Sequence, residues 1–179
     1  MHVSQYEKIR RFTMTIGLCL VILGCAKKDN QMDMRPLLLN QLKNTHTNQE
    51  WFVPVKIAID GLSVEQLNWK DSTENHSIGE LISHLIFWNE MNLRAFKGED
   101  MSDFDVNNEI TFKKYTDTEW QFVIKKLDSI QTEWEDGTQK ATDNQINEWS
   151  IEIANMTAHN AYHTGQIIYI RKQNGWWNK

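Results

Sequence analysis

Apolar positions recur with helical spacing in four blocks of this chain, and no run alternates apolar and polar residues as a half-buried strand does. The first block spans Arg35 to Asp60, with Leu38, Leu42, Trp51, Phe52 and Val55 as its apolar positions. Pro54 is expected to kink or interrupt it, because proline removes an N–H and clashes with the preceding turn. Gly61 stops the block, and Ser63 with Gln66 gives a capping-box pattern for a short helix. A second long helix starts at Ser77, boxed with Glu80, carries Leu81, Leu85 and Trp88 inward, and runs to Lys97 before Gly98. The third starts near Thr116, boxed with Glu119, and places Trp120, Val123, Leu127, Ile130 and Trp134 on one face until Gly137. The fourth runs from Ser150 to Asn174, with Arg171 and Lys172 in its last turn and Gly175 just beyond.

These blocks predict an all-α domain, a four-helix bundle. The eighteen residues "GEDMSDFDVNNEITFKKY" between the second and third helices can run the ~30 Å length of a 20-residue helix. They therefore predict a long crossover that leaves helices two and three parallel.

The N-terminus falls outside this pattern. Lys8, Arg10 and Arg11 precede the apolar run "FTMTIGLCLVIL", which is short for a membrane span and ends in Gly24-Cys25. That is the form of a secretory signal. The tetrapeptide Ile22-Leu23-Gly24-Cys25 resembles the lipobox of bacterial lipoproteins, in which the cysteine is acylated and becomes the first mature residue; the alternatives are an ordinary signal peptide or an uncleaved anchor. Residues 1–24 read as a lipoprotein signal peptide, 25–34 as a polar tether and 35–179 as the bundle domain. The protein is accordingly expected in the cell envelope, outside the cytoplasm, membrane-attached through a lipid anchor at Cys25. Cys19 would leave with the signal, so no disulfide forms within one mature chain.

Removing residues 1–24 takes away three Lys/Arg and one Glu, moving the formal charge from −5 to −7. Such a surface disfavours nucleic acid. Phosphate loops, CxxC pairs, nucleophile elbows and calcium loops are all missing from the sequence.

The chemistry must come from histidine. His2 lies in the signal segment, His46 in the polar "NTHTNQE" with no constellation around it, and His76 next to the Ser77 cap, where exposure or capping is expected. His84 shares the inward stripe of Leu81 and Trp88, and His159 and His163 sit one turn apart on the fourth helix. An i, i+4 pair sets two imidazoles on one metal, and a third from a facing helix completes three-nitrogen coordination with an open position. Alternatively, each histidine is a satisfied core residue.

"SIGELISHLIFWNE" and "AHNAYHTGQIIYIRK" resemble the DinB-like superfamily of four-helix bundles, which includes the YfiT type of metal-dependent hydrolases and thiol S-transferases; "WFVPVKIAIDGLSVEQLNW" is similar to the first helix and loop of that family. The resemblance spans most of residues 35–177 and is weakest across the third helix. It implies a divalent metal, zinc or nickel, on three histidines that correspond to His84, His159 and His163. It also makes a homodimer plausible, as does the apolar Trp176-Trp177. Glu80, Asn155 and Gln166 lie within one turn of these histidines and are candidates to orient a ligand or meet a substrate, ordinary helix polarity being the alternative. Tyr162 and Trp88 read as core or pocket wall.

Two functional classes follow. In the first, the metal lowers the pKa of a water or stabilises a thiolate, giving a hydrolase or a thiol S-transferase for an unidentified small molecule. In the second, an envelope module binds a metal or small ligand without catalysis. Export weakens thiol transfer relative to hydrolysis, because the thiol pools such enzymes use are scarce outside the cytoplasm.

Overall fold

A computed structural model describes residues 32–178 of the chain. The signal segment and Cys25 lie outside the described residues. Among the described residues there are six α-helices and no strand: α1 (Arg35–His46), α2 (Val55–Ala58), α3 (Val64–Asn68), α4 (Ile78–Phe96), α5 (Asp117–Lys140) and α6 (Asp143–Gln173). None of these helices is long and apolar enough to cross a membrane.

The long helices form where the pattern and the caps agree. Ser77 accepts the Glu80 N–H and Glu80 Oε2 accepts the Ser77 N–H at 2.8 Å, so both orphan donors at the start of α4 are satisfied. Ser63 and Gln66 close the same box on α3, and Thr116 and Glu119 on α5. Gly98 ends α4 at φ +87°, a conformation that an added Cβ would strain.

α1 and α4 each pack against both α5 and α6. The pairs Glu90–Lys126 and Lys97–Glu133 advance together along α4 and α5, so these two helices are parallel and residues 98–115 form the long crossover. α6 runs antiparallel to α4, with His84 opposite His159 and Phe96 opposite Trp149. The core joins Leu38 and Leu42 of α1, Ile82 and Leu85 of α4, Leu127 and Trp134 of α5, and Ile153 and Ile167 of α6. At its centre the amides of Asn89 and Asn160 hydrogen-bond each other reciprocally at 2.8 and 3.0 Å, while Gln131 and the Trp134 indole donate to Asn89. A buried, directional pair of this kind fixes how far α4 can slide along α6.

Four expectations need correction. The first block ends at His46, eight residues before Pro54, because "NTHTNQE" offers no apolar position to bury; Pro54 instead serves as N-cap of α2. Gly137 does not stop α5, which continues to Lys140. A Cβ there would lie 3.1 Å from Phe96 Cε1, so the glycine admits the ring of the neighbouring helix. α6 begins at Asp143 and spans 31 residues, about 46 Å; its first six residues are polar apart from buried Ile146, and Thr142 caps them by accepting the Gln145 N–H.

The fourth correction is His46. Far from lacking partners, it is buried, with Nδ1 2.7 Å from Glu135 and Nε2 3.0 Å from Asp128. The tryptophans that suggested self-association also find partners within the chain. Trp176 meets Trp69 edge to face at 5.7 Å, and Trp177 lies 5.0 Å from the Arg171 guanidinium. Arg171 is itself buried and donates to the carbonyls of Ala58 and Asp60, tying α2 to the end of α6.

Candidate metal centre

The antiparallel crossing of α4 and α6 brings His84, His159 and His163 together, near the start of α4 and well along α6. His84 follows the Ser77 cap by two turns, and His159 and His163 follow the register lock of Asn89 and Asn160. Their Nε2 atoms converge: His84 to His159 is 3.1 Å and His159 to His163 is 3.0 Å.

The other ring nitrogens settle which atom carries the proton. Thr111 donates its hydroxyl proton to the Asn108 carbonyl at 2.7 Å, so at 2.7 Å from His84 Nδ1 it accepts the ring N–H. Gln166 Oε1 lies 2.7 Å from His163 Nδ1 and likewise accepts. Both rings therefore carry hydrogen on Nδ1 and direct a bare Nε2 lone pair at the cluster. Lone pairs facing one another at about 3 Å repel unless a proton or a cation lies among them.

An added proton, which would turn one ring into an imidazolium, fits this pocket poorly, and the single N–H of a neutral His159 can bridge only one of its two Nε2 contacts. Burial pushes the His84 imidazole down to about 4, assisted by the neighbouring His163, His159 and His76. Burial and His163 do the same to His159, also to about 4. His163 is lowered by burial against the opposing pull of Gln166. At neutral pH all three are neutral donors, and three neutral imidazoles with an open position suit a divalent ion with reactive chemistry. The donor set fits the metal that the sequence implies.

The crossover supplies the rest of the wall. Its 3₁₀ turn, Asn108–Thr111, is held to α4 by Ser83, which donates to the Thr111 carbonyl at 2.6 Å, and it delivers Thr111 and Phe112. Phe112 stacks on His84 at 4.3 Å on one face and on His76 at 3.6 Å on the other. His76 is thus a half-buried member of an aromatic stack, with Nδ1 3.7 Å from Glu80, and takes no capping role. Thr111 and Phe112 escape a reading of the sequence because they lie in a segment without periodicity. The one local signal was Asn107, which caps the short turn by accepting the Glu109 N–H.

The other candidates separate. Gln166 touches the centre directly through His163 and also donates to the Tyr162 hydroxyl at 3.3 Å. Glu80 serves the helix cap and an ion pair with Lys70 at 3.1 Å, and it makes no hydrogen bond to the imidazoles. Burial pushes its carboxyl up, but the Ser77 N–H, Lys70 and His76 outweigh that and hold it below the ordinary value. Asn155 lines a cleft of about 330 Å³ together with His84, His159, Trp88, Asn108 and Glu152. A larger hollow of about 700 Å³ opens on the other side of Gln166, bounded by Trp69, Lys70, His76, Tyr162 and Tyr169, and does not include the three metal-candidate histidines. Of these two hollows the smaller reaches the cluster, through His84 and His159.

Comparison with known proteins agrees with this architecture. The sequence profile of the DinB superfamily matches residues 55–167, from the start of α2 to the last buried isoleucine of α6, and so includes all three histidines. No curated protein and no solved structure matches the chain.

Proposed function

This chain belongs to the DinB superfamily, and from that premise we propose that it is a metal-dependent enzyme of the cell envelope, holding one divalent cation, zinc or nickel, on His84, His159 and His163. The observation that carries this reading is the convergence of three Nε2 atoms, two of which, on His84 and His163, belong to rings whose opposite nitrogens are committed to Thr111 and Gln166. A cation held there supplies Lewis acidity and acidifies a water or thiol at the remaining coordination position. The chain's own part is to keep the imidazoles neutral by burial, to fix the tautomers of His84 and His163, and to shield one face of His84 from water with Phe112.

The substrate is a small molecule that enters by the cleft beside His84 and His159. Acylation of Cys25 would anchor the domain to a membrane, since a diacylglycerol with an amide-linked chain exceeds the single chain that binds only marginally. In that location hydrolysis is favoured over thiol transfer. The test is elemental analysis of the purified protein, followed by a screen of esters, amides and thiol acceptors with and without chelator. Turnover that chelation removes and metal restores supports the enzyme; bound metal without turnover reduces it to a binding module. Cys25→Ser should release the protein from membranes or block its processing, and a fatty-acid label absent from the wild-type protein rules out the anchor.

A further inference from the structure

The cleft that reaches the histidines has an uneven charge. Glu152 is its one formally charged lining residue, and it is exposed, with no ion-pair partner among the described residues. The rest of the wall is neutral and rich in hydrogen-bonding groups. The Asn155 side chain has no hydrogen-bond partner among the described residues, and Asn108 accepts the Trp88 indole N–H at 3.2 Å, which leaves its own amide N–H groups as donors.

Position adds a length to this charge. Glu152 precedes His159 by seven residues on α6, two helical turns, so its backbone position stands about 10 Å along the axis from that of His159, on the same side of the helix. Between them Trp88, half-buried and edge-on to His84, offers an apolar and π-rich bed that suits a hydrocarbon stem or a cation. A carboxylate at that distance attracts a cation at the far end of a metal-bound ligand and repels an anion there.

We propose that Glu152 makes the cleft selective for ligands that carry a primary ammonium about 10 Å from their metal-binding group, and selective against ligands that carry a carboxylate there. The substrate class is thus an amide or ester of a linear amine-bearing molecule, and small thiols with free carboxylates are disfavoured. The inference rests on the proposed metal centre.

The experiment uses zinc-loaded full-length protein and three hydroxamates of similar length: aminohexanohydroxamate, uncharged heptanohydroxamate and adipic monohydroxamate. Binding is measured by calorimetry and metal per chain by elemental analysis. The wild type should prefer the ammonium tail over the uncharged one by about fivefold, the size expected of an exposed ion pair, and should bind the carboxylate tail weakest. Glu152→Gln should retain full metal content and erase the ranking, Glu152→Lys should invert it, and added salt should shrink it in the wild type. Metal-loaded wild type that binds all three tails equally, or Glu152→Gln that keeps the ranking, overturns the proposal alone. Failure of the wild type to hold zinc overturns the metal centre and the proposal with it.

Discussion

His46 is about as buried as His84 and His163 of the candidate metal centre, yet the ring nitrogens meet opposite surroundings. His46 lies between Glu135 and Asp128, with an acidic oxygen at each nitrogen and Lys56 pairing with Asp128 as well. Its charges and hydrogen bonds close within the chain. His84 and His163 have Thr111 and Gln166 on their outer nitrogens, and the inner nitrogens of these two and of His159 meet one another instead of an acid. A buried polar group without a complementary partner costs stability, so the first arrangement is complete as it stands while the second is one that a cation would complete. Burial and residue type alone do not separate a structural histidine from a metal ligand; the second partner of each ring does.

Removing a ligand should break this contrast most severely. His84→Ala, His159→Ala or His163→Ala leaves two imidazoles, and metal per chain should fall from about one to near zero, with affinity reduced by 100-fold or more and any metal-dependent turnover lost. Circular dichroism should remain helical, since leucines, isoleucines and Trp134 supply the core. Wild-type stoichiometry in all three variants would make them core residues of the His46 kind.

The next effect is on pH dependence. In the metal-free protein His84 and His159 are held near 4, below the ordinary value of 6.5. Between those values the unfolded chain binds protons that the folded chain refuses. Stability is therefore fully present above about pH 6.5 and is lost as pH falls toward 4, by at most about 7 kcal/mol for two full shifts and about half of that once the partial solvation of these rings is allowed for. Urea midpoints in chelator at pH 7, 5.5 and 4.5 measure it. Saturating metal should raise the midpoint at pH 7 and steepen its fall in acid, because protons then also displace the ion. A flat acid profile for the chelated protein would mean the imidazoles are better solvated than their geometry implies.

Much of this site was legible in the sequence because it sits where helical periodicity is strong. The Ser77 box fixes the start of α4 and so the face of His84, while the i, i+4 spacing puts His159 and His163 on one side of α6 whatever its exact ends. The bundle and its parallel α4–α5 crossing followed from cap signals and one long connection. What stayed hidden depends on partners distant in sequence. Glu135 lies 89 residues from His46 and Thr111 lies 27 from His84, and no local rule links them. Gly137 looked like a stop because a glycine that admits Phe96 and one that ends a helix are the same letter. The start of α6 was hidden by six residues that are polar apart from buried Ile146.

His46 gives a prediction of the opposite kind from the ligands. The sequence alone marked His46→Ala as neutral, whereas the structure makes it a core substitution that leaves Asp128 and Glu135 facing each other across a void. Since Asp128 is half exposed and retains Lys56, the cost should be about 2 kcal/mol, below that of a fully buried broken pair. The melting temperature should drop by several degrees while metal content stays at the wild-type value. Unchanged melting would return His46 to the role the sequence suggested, and loss of metal would show that α1 and the centre are coupled.

The smallest effect tests the outer partners that distinguish the two environments. Thr111→Val keeps the shape of the side chain and removes the hydroxyl that accepts from His84, and Gln166→Leu removes the carbonyl that accepts from His163. Neither residue supplies one of the converging Nε2 atoms, so each variant should still bind one metal per chain. Without its partner, however, each imidazole is free to move its proton to the inner nitrogen or to turn its ring, and part of the binding energy goes to restoring the correct form. Affinity should fall about tenfold for each, within the range usual for such outer hydrogen bonds. The two act on different rings attached to one ion, so the double variant should lose more than either single one, and competition titrations against a chelator resolve losses of that size. If both single variants bind as tightly as wild type, the tautomers are set by the metal instead of by the chain, and the cluster is less preorganised than its hydrogen bonds indicate.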